Sequence, residues 1–91
     1  MSDAIAGGWS AWHSPVSEEA KTVLGEALAG WVGAKFEPLA FATQLVSGTN
    51  YAYLALATPV VPNAKAHPVS ITVYKPLQGK AHITQIKDIN P

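Results

Sequence analysis

Histidine is the side chain that most often acts as a general base or a metal ligand, and this chain contains three. His13, His67 and His82 are widely separated in the sequence, whereas such chemistry needs these groups brought together and oriented by partners. If the last two strands pair about the turn between them, His82 faces Val73 and His67 faces Asp88, which keeps these two histidines apart. The favoured interpretation is histidine on a strand surface, and we expect no metal site.

Other residue patterns that are typical of catalysis are also poorly matched in this sequence. Glu18 and Glu19 are adjacent, and neighbouring helix residues do not face each other across a substrate. Gly7 and Gly8 follow no strand, so they do not form a loop that cradles phosphate between a strand and a helix. The chain has no cysteine, which excludes disulfides, thiolate metal ligands and a cysteine nucleophile. We therefore expect a protein that is not an enzyme and that needs no cofactor.

One helix and a sheet must position whatever site the chain carries. Helical spacing of apolar residues predicts one amphipathic helix over residues 15–33. The residues in this pattern are Ala20, Val23, Leu24, Ala27, Leu28, Trp31 and Val32. Ser14 before Pro15, or else Ser17 before two glutamates, supplies an N-cap, and Gly33 is the predicted stop.

After Pro38 the apolar pattern changes to a period of two, which is typical of strands. Four strands are predicted, over residues 39–46, 51–58, 69–74 and 81–89. Residues 47–50 and 76–79 predict tight hairpin turns, and the proline-rich stretch 59–68 predicts a longer connection. One helix followed by four meandering strands indicates an α+β fold in which the helix covers one face of an antiparallel sheet.

Length, charge and composition limit the partners. The 91 residues predict a single domain, 1–91, whose residues 1–14 form an extended N-terminal arm. The net charge is zero and basic residues do not cluster, so nucleic acid is not an expected partner. No apolar stretch approaches the ~20 residues that span a bilayer, so a membrane is not expected either. Asp3, where a signal peptide is basic, and the lack of cysteine predict a cytoplasmic protein.

Three stretches of the sequence have residue types that the stability of the fold alone would not favour. They are the glycine pair of the arm and the two hairpin tips, namely Gly7-Gly8, Gln44-Leu45-Val46-Ser47-Gly48-Thr49-Asn50-Tyr51 and Pro76-Leu77-Gln78. Each has an ordinary interpretation, as a flexible terminus, a turn that uses glycine, or a rigid turn. Alternate hairpins of a meander point to the same end of the sheet, and the arm can reach that end. The three features together predict a thin apolar edge that fits a groove on a partner.

These motifs resemble the cystatin superfamily. Its Gln-x-Val-x-Gly loop is matched by Gln44-Leu45-Val46-Ser47-Gly48. The chain also resembles the stefin, or type 1, branch of this superfamily at two further stretches, Thr49-Asn50-Tyr51 and Gly7-Gly8-Trp9-Ser10. The resemblance covers nearly the whole chain, in the order arm, helix, first hairpin, second hairpin and last strand. The second hairpin departs from it, because stefins often have Leu-Pro and secreted cystatins Pro-Trp where this chain has Pro76-Leu77-Gln78.

The resemblance implies a cystatin-like fold, with one long amphipathic helix on a four- to five-stranded antiparallel sheet. It also implies a reversible, competitive inhibitor of papain-like (cathepsin-type) cysteine proteases, which is a monomer or a domain-swapped dimer. Gly7 would lie near the catalytic cysteine, with Ile5 and Ala6 in the non-primed subsites and the first hairpin at the centre of a wedge. The implied protease-binding residues are Ile5, Ala6, Gly7, Gly8, Gln44, Leu45, Val46, Ser47, Gly48, Pro76, Leu77 and Gln78.

Two other hypotheses stay open at this point. The first is a cystatin-like protein-binding or self-assembling module that inhibits no protease and uses exposed strand edges. Tolerance of a charge at Val46 would distinguish it from an inhibitor. The second is an enzyme, which would require a turnover that is lost when a single histidine is replaced.

Overall fold

A computed structural model describes residues 8–89 of the chain, and within them it contains one helix and four strands. In chain order these are α1 (Glu18–Ala27), β1 (Ala34–Val46), β2 (Gly48–Pro59), β3 (His67–Lys75) and β4 (His82–Asp88). The strands form one antiparallel sheet in the order β1-β2-β3-β4. The helix packs on one face of this sheet, so the predicted α+β arrangement is confirmed.

Helix α1 is shorter than the sequence pattern predicts. Its N-cap is Ser17, one of the two predicted candidates, whose Oγ accepts a hydrogen bond from the Ala20 N–H at 3.1 Å. The predicted end at residue 33 is wrong, because the helix stops at Ala27 and a turn follows. In that turn Gly30 adopts a φ of 81°, a left-handed conformation that favours glycine and cannot continue a helix.

The core lies between α1 and the alternating residues of the two central strands. Every second residue of β2 from Tyr51 to Ala57 and of β3 from Val69 to Val73 is buried, as the period of two predicts. These side chains pack against the apolar face of the helix, formed by Ala20, Val23 and Leu24. Tyr53 is fully buried at the centre, and its hydroxyl donates a hydrogen bond to the Ala20 carbonyl at 2.9 Å.

Replacing Tyr53 with phenylalanine tests this contact between sheet and helix. The ring would still fill the core, whereas the hydrogen bond to the Ala20 carbonyl would be lost. We expect the free energy of unfolding to fall by about 1 kcal/mol, the usual net value of one such bond. Urea denaturation measures this change. A variant as stable as the wild type would show that the hydroxyl adds nothing to the attachment of the helix.

The strands differ from the prediction in length and register. β1 begins at Ala34, before Pro38, and a bulge lies between Pro38 and Ala40. Proline is tolerated there because β1 is an edge strand in the order of the four-stranded sheet. The turn between β1 and β2 is also shorter than the predicted residues 47–50, since only Ser47 separates the two strands.

The register of β3 on β4 is another correction. His82 pairs with Tyr74 and Asp88 pairs with Val69, not with Val73 and His67. The ladder is already shifted by one residue at its first pair after the turn, so the turn accounts for the correction at His82. A bulge between Thr72 and Val73 then inserts an extra residue in β4, which accounts for the further shift at Asp88.

Candidate functional site

The first hairpin ends in a very tight turn with two exposed apolar side chains. Val46 pairs with Gly48, and Gly48 has a φ of 98°. A Cβ atom at Gly48 would lie 2.5 Å from the carbonyl oxygen of Lys75, so only glycine fits without a shift of the backbone. Leu45 and Val46 are nearly half exposed. The tip is therefore fixed in shape and apolar in character.

A hydrogen bond and a side-chain pair hold this tip in place. The Tyr74 hydroxyl of β3 donates to the carbonyl of Ser47. The Asn50 Nδ2 donates to the Gln44 Oε1 at 2.8 Å, which links β1 and β2 two pairs before the turn. Gln44, the first residue of the motif, thus links the two strands of the hairpin through its side chain.

The second hairpin lies beside the first. Thr49 of β2 pairs with Lys75, the last residue of β3, so the chain leaves β3 next to the first tip. Pro76, Leu77 and Gln78 follow, and 81% of Leu77 is exposed. The structure thus brings the two predicted hairpin tips to the same end of the sheet.

The described part of the arm runs along the edge of β1 that does not pair with β2. Trp9 is bridged to Gln44 and His13 to Phe41, both in antiparallel orientation. The Ser10 N–H donates to the Thr43 carbonyl at 2.8 Å, and the Thr43 N–H donates to Ser10 Oγ at 2.9 Å. Gly8 therefore comes close to the first tip, whereas the predicted contact residues Ile5, Ala6 and Gly7 lie outside the described residues.

The three segments form one uncharged edge, which we call the wedge edge. It consists of residues 8–12, 44–48 and 76–79. None of these positions holds Asp, Glu, Lys or Arg. Its exposed large apolar side chains are Trp9, Trp12, Leu45, Val46 and Leu77. A surface of this composition can bury apolar area in a complementary groove without also burying a charge.

Each of the three histidines lies against a side chain of the fold. His67 Nε2 lies 3.3 Å from Asp88 Oδ1, so these side chains meet even though their residues are not paired in the ladder. The His82 ring packs edge-on to Tyr74, and His13 packs against Phe41. Within residues 8–89, no three His, Asp or Glu side chains lie close enough to hold a metal ion.

A second group of exposed apolar side chains, which the motifs in the sequence do not indicate, lies at the opposite end of the sheet. The Val60 N–H donates to the Gly33 carbonyl at 3.0 Å, which places the connection after β2 beside the connection after α1. Exposed at this end are Trp31, Val32, Val60 and Val61. The helical pattern had assigned Trp31 and Val32 to the helix. The sequence signal for this group is a pair of adjacent apolar residues, Val60 and Val61, in a proline-rich connection where polar residues are usual.

Fold and site together define a small α+β protein that presents an uncharged, apolar edge made of an arm and two hairpins. A scan against protein-family models and a search of curated proteins find no match to this sequence. In the part of the chain that the structure covers, no helix has the length and apolar character needed to cross a membrane.

Proposed function

We propose that this protein is a cystatin-like, reversible and competitive inhibitor of papain-like cysteine proteases, with the wedge edge as its binding surface. The observation that carries the proposal is the meeting of two hairpin tips and an arm at one end of the sheet. The first of these tips holds the Gln-x-Val-x-Gly motif by which the sequence resembles the cystatins.

Inhibition of this kind requires no chemistry from the inhibitor. A papain-like protease acts through a cysteine thiolate paired with a histidine at the bottom of a groove. A wedge that fills the groove keeps substrate away from that pair. Gly48 lets the first hairpin turn at Ser47 alone, which keeps the tip narrow, as a wedge requires.

The affinity would come from apolar burial by a surface that is already ordered. Full burial of an exposed Val or Leu side chain contributes roughly 1.5–3 kcal/mol, and Val46 and Leu77 are both available for it. The bonds from Tyr74 to Ser47 and from Asn50 to Gln44 fix the first hairpin beforehand, so less conformational entropy is lost on binding.

Titration of a papain-like protease with the pure protein tests the proposal, with hydrolysis of a small peptide substrate as the readout. We expect KM for the substrate to rise with inhibitor concentration while kcat stays constant, because substrate and wedge compete for one groove. No inhibition at micromolar protein against several papain-like enzymes would refute the proposed function.

The same protease with its catalytic cysteine carboxymethylated tests the steric mechanism. Binding to this blocked enzyme should remain detectable by calorimetry, since the wedge forms no bond with the thiolate. Loss of all binding would contradict steric inhibition.

A protein-binding role without inhibition is the second candidate. The exposed apolar side chains at the opposite end, Trp31, Val32, Val60 and Val61, favour it, because the wedge edge does not account for them. Under this alternative, a charge at Val46 would leave the binding of a partner unchanged.

A further inference from the structure

The carboxylate of Glu26 joins the helix to both ends of the second hairpin loop, residues 76–81. Its Oε1 accepts a hydrogen bond from the Ala81 N–H at 2.6 Å and one from the Lys75 Nζ at 3.0 Å. The same Lys75 Nζ also donates to the Gly79 carbonyl at 2.8 Å. One acidic side chain therefore contacts the residue before the loop and the last residue of the loop, and through Lys75 it reaches the loop's interior.

The place of Glu26 in the helix is unfavourable by itself. It lies in the last turn of α1, where the helix dipole favours basic side chains and disfavours a carboxylate, and that turn holds no basic residue. Hydrogen bonds with a charged partner are stronger than neutral ones, so the contacts with the loop offset this cost. A glutamate at position 26 is thus favourable for the contacts with the loop and unfavourable for the end of the helix.

We propose that Glu26 is the positioning residue of the second hairpin, and that it holds residues 76–81 in the conformation that carries Leu77 to the wedge edge. Glu26 itself would not touch the protease. This inference rests on the proposed function for its consequence in inhibition, whereas the effect on the loop can be measured in the protein alone.

The charge state of Glu26 agrees with this role. The Ala81 N–H first, and then the hydrogen bond from Lys75, hold the pKa of the Glu26 carboxyl below its usual value. The charge of Lys80 acts in the same direction. Because the pKa is lowered, the contact is complete at neutral pH and is lost only as the pH falls through the lowered value.

Amide exchange and NMR of the full chain test the positioning role directly. Glu26→Ala should speed exchange of the Ala81 amide about tenfold or more, while amides of the core strand β3, such as that of Ile71, keep their protection. Glu19→Gln is the matched control, since it removes the same charge from an exposed position of the same helix. In the wild type the Ala81 amide shift should titrate with a pKa below that of a free glutamate, and in Glu26→Gln this titration should disappear.

Inhibition supplies the second readout. We expect Glu26→Ala to weaken inhibition about tenfold and Glu26→Gln to weaken it less, because a neutral amide oxygen still accepts from Ala81. Leu77→Ala should weaken inhibition in the wild type but have little further effect in Glu26→Ala, since the two changes act through one loop.

The outcomes separate the two proposals. An Ala81 amide that exchanges equally fast in the wild type and in Glu26→Ala would overturn the positioning role, whatever the inhibition data show. Fully additive effects of Glu26→Ala and Leu77→Ala on inhibition would also overturn it. A wild-type protein that inhibits no protease would refute the proposed function, and the exchange data alone would then decide the role of Glu26.

Discussion

Val46→Asp is expected to weaken inhibition a hundredfold or more while the protein keeps its fold. Val46 is 46% exposed at the first tip, so the new carboxylate would be hydrated in the free protein and cost little. In the complex the groove would remove that water, and burying an unpaired carboxylate costs several kcal/mol, which corresponds to at least about a hundredfold in affinity. The inhibition constant measures the loss, and circular dichroism checks the fold.

Val61→Asp provides the matched control. It introduces the same charge into another exposed valine, 62% accessible, at the opposite end of the sheet. This variant should inhibit like the wild type. Equal losses for the two variants would mean that the wedge edge is not the contact surface. An unfolded Val46→Asp variant would place the tip in the core and contradict the wedge.

A charge at Gly48 would be a less specific test, although Gly48 belongs to the same motif. Any side chain there would meet the backbone of Lys75 and would have to adopt a φ of 98°. Gly48→Glu should therefore distort the turn as well as charge it. A loss of inhibition in that variant would not separate contact with the protease from the shape of the hairpin, whereas Val46→Asp does separate them.

The first hairpin could be predicted from the sequence because its determinants are local. A period-two apolar pattern on either side of Ser47, with a glycine directly after it, is sufficient to indicate a turn at this point. The same reasoning placed the two tips at one end, since that follows from the order of strands in a meander. The end of the helix was not predictable in this way. The apolar period continues through Trp31 and Val32, although the helix ends at Ala27 and Gly30 is left-handed in the turn that follows.

Contacts between distant segments were beyond the sequence pattern. Glu26 and Ala81 are 55 positions apart, and nothing in the composition around either residue indicates that they meet. The arm is a similar case. A stretch with two glycines and no periodicity predicts an extended or mobile terminus, and its attachment depends on the free edge that β1 offers to Ser10 and His13. Such attachments depend on the folded sheet, so a local sequence pattern cannot predict them.

Deleting residues 1–7 is expected to weaken inhibition about ten- to a hundredfold without unfolding the protein. The hydrogen bonds of Ser10 and His13 to β1 would remain, so the deletion leaves the sheet and its edge intact. It removes Ile5, whose burial in a protease subsite would contribute about 1.5–3 kcal/mol. Circular dichroism should stay native, and the inhibition constant should rise.

The loss should come mainly from faster dissociation of the complex. The two hairpins would still guide the first encounter, and related complexes differ mostly in their dissociation rates. Deleting residues 1–4 is the matched control, because it shortens the arm but keeps Ile5 and Ala6, and it should change the dissociation rate little. Surface plasmon resonance on a papain-like protease measures both rates. An unchanged dissociation rate after deletion of residues 1–7 would show that these residues add nothing to the contact, and that the binding surface is limited to residues 8–12 and the two hairpins.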